Sequence, residues 1–187
     1  MNSSTTQNIY NLLLVAVITG FVLPALLKFF DIIFTRKVNR DAEIRNKQLE
    51  IIEQLTKVIW EWRFLAKQVF YYGYRYRRSV KDNERFLKAI ADYENRVWAL
   101  FIDIKAIKSR AIVWYPESVA TKIEKLYEYI KIKIDAPMTQ LLTKSENQEN
   151  DLSGEFFEWQ KKFTEEVSPK IEEYILSIAK NIKRLKS

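Results

Sequence analysis

Apolar residues run almost unbroken through IYNLLLVAVITGFVLPALLKFFDIIF, residues 9–34, and beyond it recur every three or four positions. The two patterns predict different elements. Between Leu12 and Leu27 the first carries no charge. A helix over all of it, at 1.5 Å per residue, would reach about 39 Å, more than the ~30 Å hydrocarbon core of a bilayer. It predicts one transmembrane helix over residues 9–34. A cleaved signal peptide fits less well, because MNSSTTQN before the run holds no Lys or Arg and no small-residue cleavage site follows it. A buried core helix is the plainer alternative; the flanking residues argue for a membrane.

The second pattern predicts helices throughout. Ile52, Leu55, Ile59, Trp62, Ala66, Val69 and Gly73 alternate steps of three and four, giving a helix from about Asp41 to Arg77. SVKD at residues 79–82 reads as a turn with a capping start for the next helix, which carries Phe86, Ile90, Tyr93, Val97, Leu100, Ile104 and Ile107. Pro116 in WYPE marks its end. A third stripe holds Val119, Ile123, Leu126, Ile130, Ile134, Met138 and Leu141, with Pro137 expected to kink or restart the helix near Asp135. Ile130, Ile132 and Ile134 alternate as a strand would, yet no second strand is there to pair with them. After the polar stretch at 143–154, a fourth stripe runs from Phe156 through Phe163, Val167, Ile171, Ile175, Ile178 and Ile182 to Leu185, with Pro169 expected to kink or split it. Gly and Pro are scarce (three and four), as long helices require. The expected fold is all-α: an N-terminal single transmembrane helix, then an antiparallel up-and-down bundle of about four long helices.

Charge sets the orientation. Residues 1–8 form a short non-cytoplasmic tail, since the basic residues nearest the span, Arg36, Lys37 and Arg40, all follow it. That puts residues 35–187 in the cytoplasm, tethered to the cell membrane by a single pass. With 31 basic and 24 acidic residues the chain is formally +7, which favours anionic partners such as lipid headgroups. There is no Cys and no His, which removes disulfides, thiol and imidazole catalysis, and zinc sites of the Cys/His kind. No glycine-rich phosphate loop is present, and no carboxylate pair stands out in apolar surroundings. We therefore expect no enzyme, no metal and no cofactor.

Three sets of residues are left as interaction candidates. The first surrounds FYYGYRYRRSVK, residues 70–81. Opposite the core stripe of its helix stand Trp60, Phe64, Lys67, Tyr71, Arg75 and Arg78, a second face that is aromatic and basic. Its readings are a crowded helix end with arginines stacked on tyrosines, an oligomer or protein contact, a nucleic-acid surface, or a lipid contact. The second set, Ala16, Gly20, Pro24, Lys28 and Asp31, shares one face of the anchor, and Ala16 and Gly20 make a small-xxx-small step that lets two helices approach. The third gathers membrane-surface candidates where an up-and-down bundle returns to the bilayer: Lys108, Arg110, Trp114, Tyr115, Lys183 and Arg184, besides Arg36, Lys37 and Arg40. Together they point to a membrane-anchored, non-enzymatic bundle acting by protein or membrane-surface interaction, as scaffold or regulatory partner, with self-association or a protein partner expected. An oligomeric effector that perturbs the bilayer is one alternative. A membrane-tethered nucleic-acid binder is the other and is less favoured.

Overall fold

The computed structural model describes residues 23–146 and 151–182. They fall in two units, residues 23–44 in the first and residues 45–146 and 151–182 in the second. The helices are α1 (Leu23–Gly73), α2 (Val80–Trp114), α3 (Glu117–Ile130), α4 (Ala136–Glu146), α5 (Ser153–Lys162) and α6 (Ser168–Ala179). A π-helical stretch, Lys131–Asp135, fuses α3 to α4, and a second, Phe163–Val167, fuses α5 to α6. The result is an all-α bundle of four helical rods, with no strand among the described residues.

In the second unit, contacts pair the rods in opposite senses. Along α1 and α2, Gln48 meets Trp114, Glu61 meets Arg96, and Tyr76, just past the end of α1, meets Phe86. Along α2 and the third rod, Lys108 meets Glu124 and Tyr93 meets Asp135. The fourth rod closes the bundle, Tyr174 on Tyr129 of α3, and Phe163 on Phe70 of α1. The predicted stripes form the core: Leu55, Ile59, Trp62, Leu100, Ile123, Ile130, Ile134, Phe156 and Ile171 are all fully buried. Ser79 caps α2 as expected, its Oγ accepting from the Asp82 N–H at 3.1 Å.

Three expectations about elements are corrected. The pattern predicts a boundary between Phe34 and Asp41, but α1 is unbroken there, because TRKVNRD contains charge and no helix breaker. Helix α1 also ends at Gly73 rather than Arg77; Tyr74 N–H still bonds Phe70 O, and the next residues turn. The alternation Ile130–Ile132–Ile134 is helical, part of a π turn rather than a strand. As for the anchor, its residues 9–22 lie outside the described residues. Residues 23–34 are helical and exposed, and among the described residues no helix is long and apolar enough to cross a membrane.

Candidate functional site

Helix α1 carries more apolar surface than one core stripe needs. Its buried side presents Ile59, Trp62, Ala66 and Val69. Trp60, Phe64, Lys67 and Tyr71, at steps of four, three and four, stand on another face, with Trp60 61% and Phe64 52% exposed. The fourth rod supplies the facing wall. Phe163, Thr164 and Ser168 come from the π stretch and the start of α6, and between the walls lies a groove of about 420 Å³. Phe163 turns its ring into the core against Phe70, at 5.8 Å between centroids, which ties this wall to α1.

Arg63, on the α1 wall, bonds to the fourth rod. Its guanidinium donates to Glu172 Oε1 at 2.8 Å and to the Ser168 hydroxyl, and lies 5.9 Å from the Trp60 ring centroid. Lys67 is exposed and has no ion pair among the described residues. No Asp or Glu lines the groove. Its chemistry is therefore an aromatic trough with one committed and one uncommitted cation.

Two of the six residues expected on this face do not line the groove. Arg75 stacks over Tyr71 at 5.2 Å, donates to its hydroxyl, and lies 4.0 Å from Asp82. Arg78 stacks over Tyr74 at 5.2 Å, and Arg77 over Tyr76 at 5.5 Å. Tyr74 and Tyr76 are held in turn by Phe157 and Phe86. The FYYGYRYRR segment thus pairs its cations with its own rings, a helix end closed by cation–π stacking.

Of the anchor-face candidates, Ala16 and Gly20 lie outside the described residues; Pro24, Lys28 and Asp31 are exposed on α1. Arg36, Lys37 and Arg40 are exposed as well. Lys108 pairs with Glu124 at 2.5 Å, and Arg110 lies 3.9 Å from Glu50. Trp114 is half-buried. Tyr115 is buried, its hydroxyl donating to Gln48 O at 2.9 Å, and burial pushes its phenol up to about 12. Ile112 and Val113 take the surface there, 59% and 72% exposed. Lys183 and Arg184 lie outside the described residues.

Arg63, Gln68, Tyr72, Phe163, Thr164 and Ser168 complete the groove, and the sequence does not single them out. For Arg63 a signal exists, one residue from the Phe64 face; the fourth-rod residues depend on a tertiary pairing that periodicity does not encode. No group of three potential metal ligands occurs among the described residues. Comparison with protein-family models, curated proteins and solved structures returns no match.

Proposed function

We propose that this protein is a membrane-tethered, non-enzymatic helical bundle that acts by docking a protein partner in the groove between α1 and the fourth rod. The observation that carries the reading is the exposure of Trp60 and Phe64 beside the uncommitted Lys67, in a trough without carboxylates. Aromatic and arginine side chains are what interface centres enrich, and they do so where water can be expelled around them. The complement is an apolar segment flanked by Asp or Glu. Nucleic acid has less support, because Arg75 and Arg78 stack on tyrosines rather than line the groove, and a strand needs a basic track beside its stacking platform.

Tethering rests on residues 9–34. Leu26, Leu27, Phe29, Phe30, Ile33 and Phe34 are each 47–69% exposed on consecutive turns of α1. They span an arc of about 160° opposite Lys28 and Asp31, a broad apolar face that water does not favour and lipid does. A membrane-surface role for the α2–α3 turn draws support from Ile112 and Val113 beside Lys108 and Arg110, at the end of the bundle where Gln48 meets Trp114.

The test is photo-crosslinking in cells. Benzoylphenylalanine in place of Phe64 should give an adduct of discrete mass, lost when Trp60→Ala is added. The same probe in place of Ile132, exposed but away from the groove, should not. An adduct of twice the chain's mass names a second copy as the partner. A nuclease-sensitive adduct moves the reading to nucleic acid, and identical adducts from both positions would end it.

A further inference from the structure

A second cavity, of about 320 Å³, opens between α2 and the third rod. At its base a chain of hydrogen bonds reaches in from α1: Trp62 Nε1 donates to the Tyr93 hydroxyl at 3.3 Å, and that hydroxyl donates to Asp135 Oδ1 at 3.0 Å. Trp62 and Tyr93 are buried and Asp135 is half-buried. Asp135 closes the π stretch Lys131–Asp135 and lines this cavity. The walls are Trp98, 73% exposed, and Phe101, the two rings 5.8 Å apart, with Glu94 at the rim.

The charge here runs against the rest of the chain. Among 31 basic residues, none forms an ion pair with Asp135 or Glu94 within the described structure, and none lines the cavity. A half-buried carboxylate without a direct ion pair is costly. Burial raises the Asp135 carboxyl above its ordinary value, against the Tyr93 bond and nearby Lys131, which lower it. An anion would be repelled, and a neutral apolar molecule would add nothing to the Tyr93 hydrogen bond that now answers the carboxylate. A metal ion would lack ligands, for no three-donor group occurs among the described residues. Aromatic faces beside carboxylates are what recognise an alkylated nitrogen cation.

We propose that this cavity is a binding site for a small alkylammonium ion, its charge held by Asp135 and Glu94 and its carbon groups against Trp98 and Phe101. The site is independent of the groove on α1 and stands or falls without it. Tyr93 positions the carboxylate; Trp98 provides the exposed cation–π face.

The test uses the full chain in uncharged detergent, with 5-fluorotryptophan labelling and fluorine NMR. The Trp98 resonance is identified by Trp98→Phe. Titration with n-butylammonium chloride should move it saturably, while n-butanol and sodium chloride should not. Tetramethylammonium, which cannot donate a hydrogen bond, should bind more weakly if Asp135 takes an N–H, and equally if the rings dominate; either supports the site. Asp135→Asn keeps an acceptor for Tyr93 and so should keep the fold, checked by circular dichroism, but should weaken binding at least about tenfold. Trp98→Ala, at an exposed position, removes the reporter, so its binding is read by calorimetric titration with n-butylammonium and should be weaker than that of the unsubstituted chain. A saturable shift unchanged in Asp135→Asn, an equal shift with n-butanol, or none up to about 50 mM, beyond useful affinity, would overturn the proposal.

Discussion

Gly73 ends α1 where its backbone lies against a ring of the fourth rod. A Cβ added there would stand 2.5 Å from Cγ of Phe156, which is fully buried and held at 5.3 Å by Phe86. The ring has nowhere to withdraw. Gly73→Ala should therefore cost about 1–3 kcal/mol, seen as a lower urea midpoint. Gly154→Ala, whose Cβ meets nothing within 4 Å, should be neutral or stabilise by about 0.5–1 kcal/mol through helix propensity. Equal midpoints for the two variants would refute the close approach. Asp135 makes a separate residue-scale prediction. Because burial raises its folded-state carboxyl, the folded chain binds that proton more tightly than the unfolded one. Stability then falls as pH rises from the unfolded value, about 4, through the raised one. Asp135→Asn removes the titration. Urea melts should show the variant the more stable of the two at pH 7, with the gap closing towards pH 3; a constant gap would contradict the assignment.

At the scale of elements, the two π stretches account for runs of equal steps in the apolar pattern. Along the third rod the core positions Leu126, Ile130, Ile134 and Met138 follow one another by fours, and along the fourth rod Phe163, Val167 and Ile171 do the same. In an ideal α-helix each step of four advances the stripe by about 40°, so consecutive fours would carry it off the core. One extra residue in a π turn restores the register, and Ala136 N–H bonds Lys131 O accordingly, as Ser168 N–H bonds Phe163 O. Each stretch lies just before a proline, Pro137 or Pro169, which has no N–H to give and whose ring crowds an α turn. Inserting one alanine after Lys133, exposed and without an ion pair among the described residues, should turn Met138 and Leu141 off the core by about 100°, since the π turn already absorbs one extra residue. Burial lost on that scale should cost several kcal/mol, whereas Lys133→Ala should stay within about 0.5 kcal/mol. Urea unfolding of the two variants checks this, and similar midpoints would rule it out.

Much of the fold is legible in the sequence for the same reason: apolar spacing, the Ser79 cap and Pro116 are local signals. The continuity of α1 is hidden because the charge of TRKVNRD changes the solvent a helix prefers, not its helicity. The groove is half legible. Trp60, Phe64, Lys67 and Tyr71 follow from helical geometry, but the stacking that withdraws Arg75 and Arg78 depends on how the chain turns after Gly73.

For the whole molecule, the question is which solvent each part meets. The second unit buries its stripes and leaves an aromatic trough open, whereas residues 23–34 expose large apolar side chains over a broad face of α1 opposite Lys28 and Asp31. A surface of that kind is costly in water at about 25 cal/mol per Å². With the uncharged run before it, the proposed resolution is a bilayer, in a direction that we propose the basic residues after it set. The chain's lack of cysteine makes that direction measurable, since any thiol introduced is unique. Ser3→Cys should react with a membrane-impermeant maleimide in intact cells. Asn83→Cys, exposed at the start of α2, should react only after lysis. The protein should also stay with membranes through carbonate extraction, and a chain starting at residue 35 should not. Replacing Arg36, Lys37 and Arg40 by Gln should let part of the population invert, so that Asn83→Cys becomes reactive in intact cells. Full reactivity of Asn83→Cys without those replacements would reverse the orientation, and release of the full chain by carbonate would remove the tether altogether.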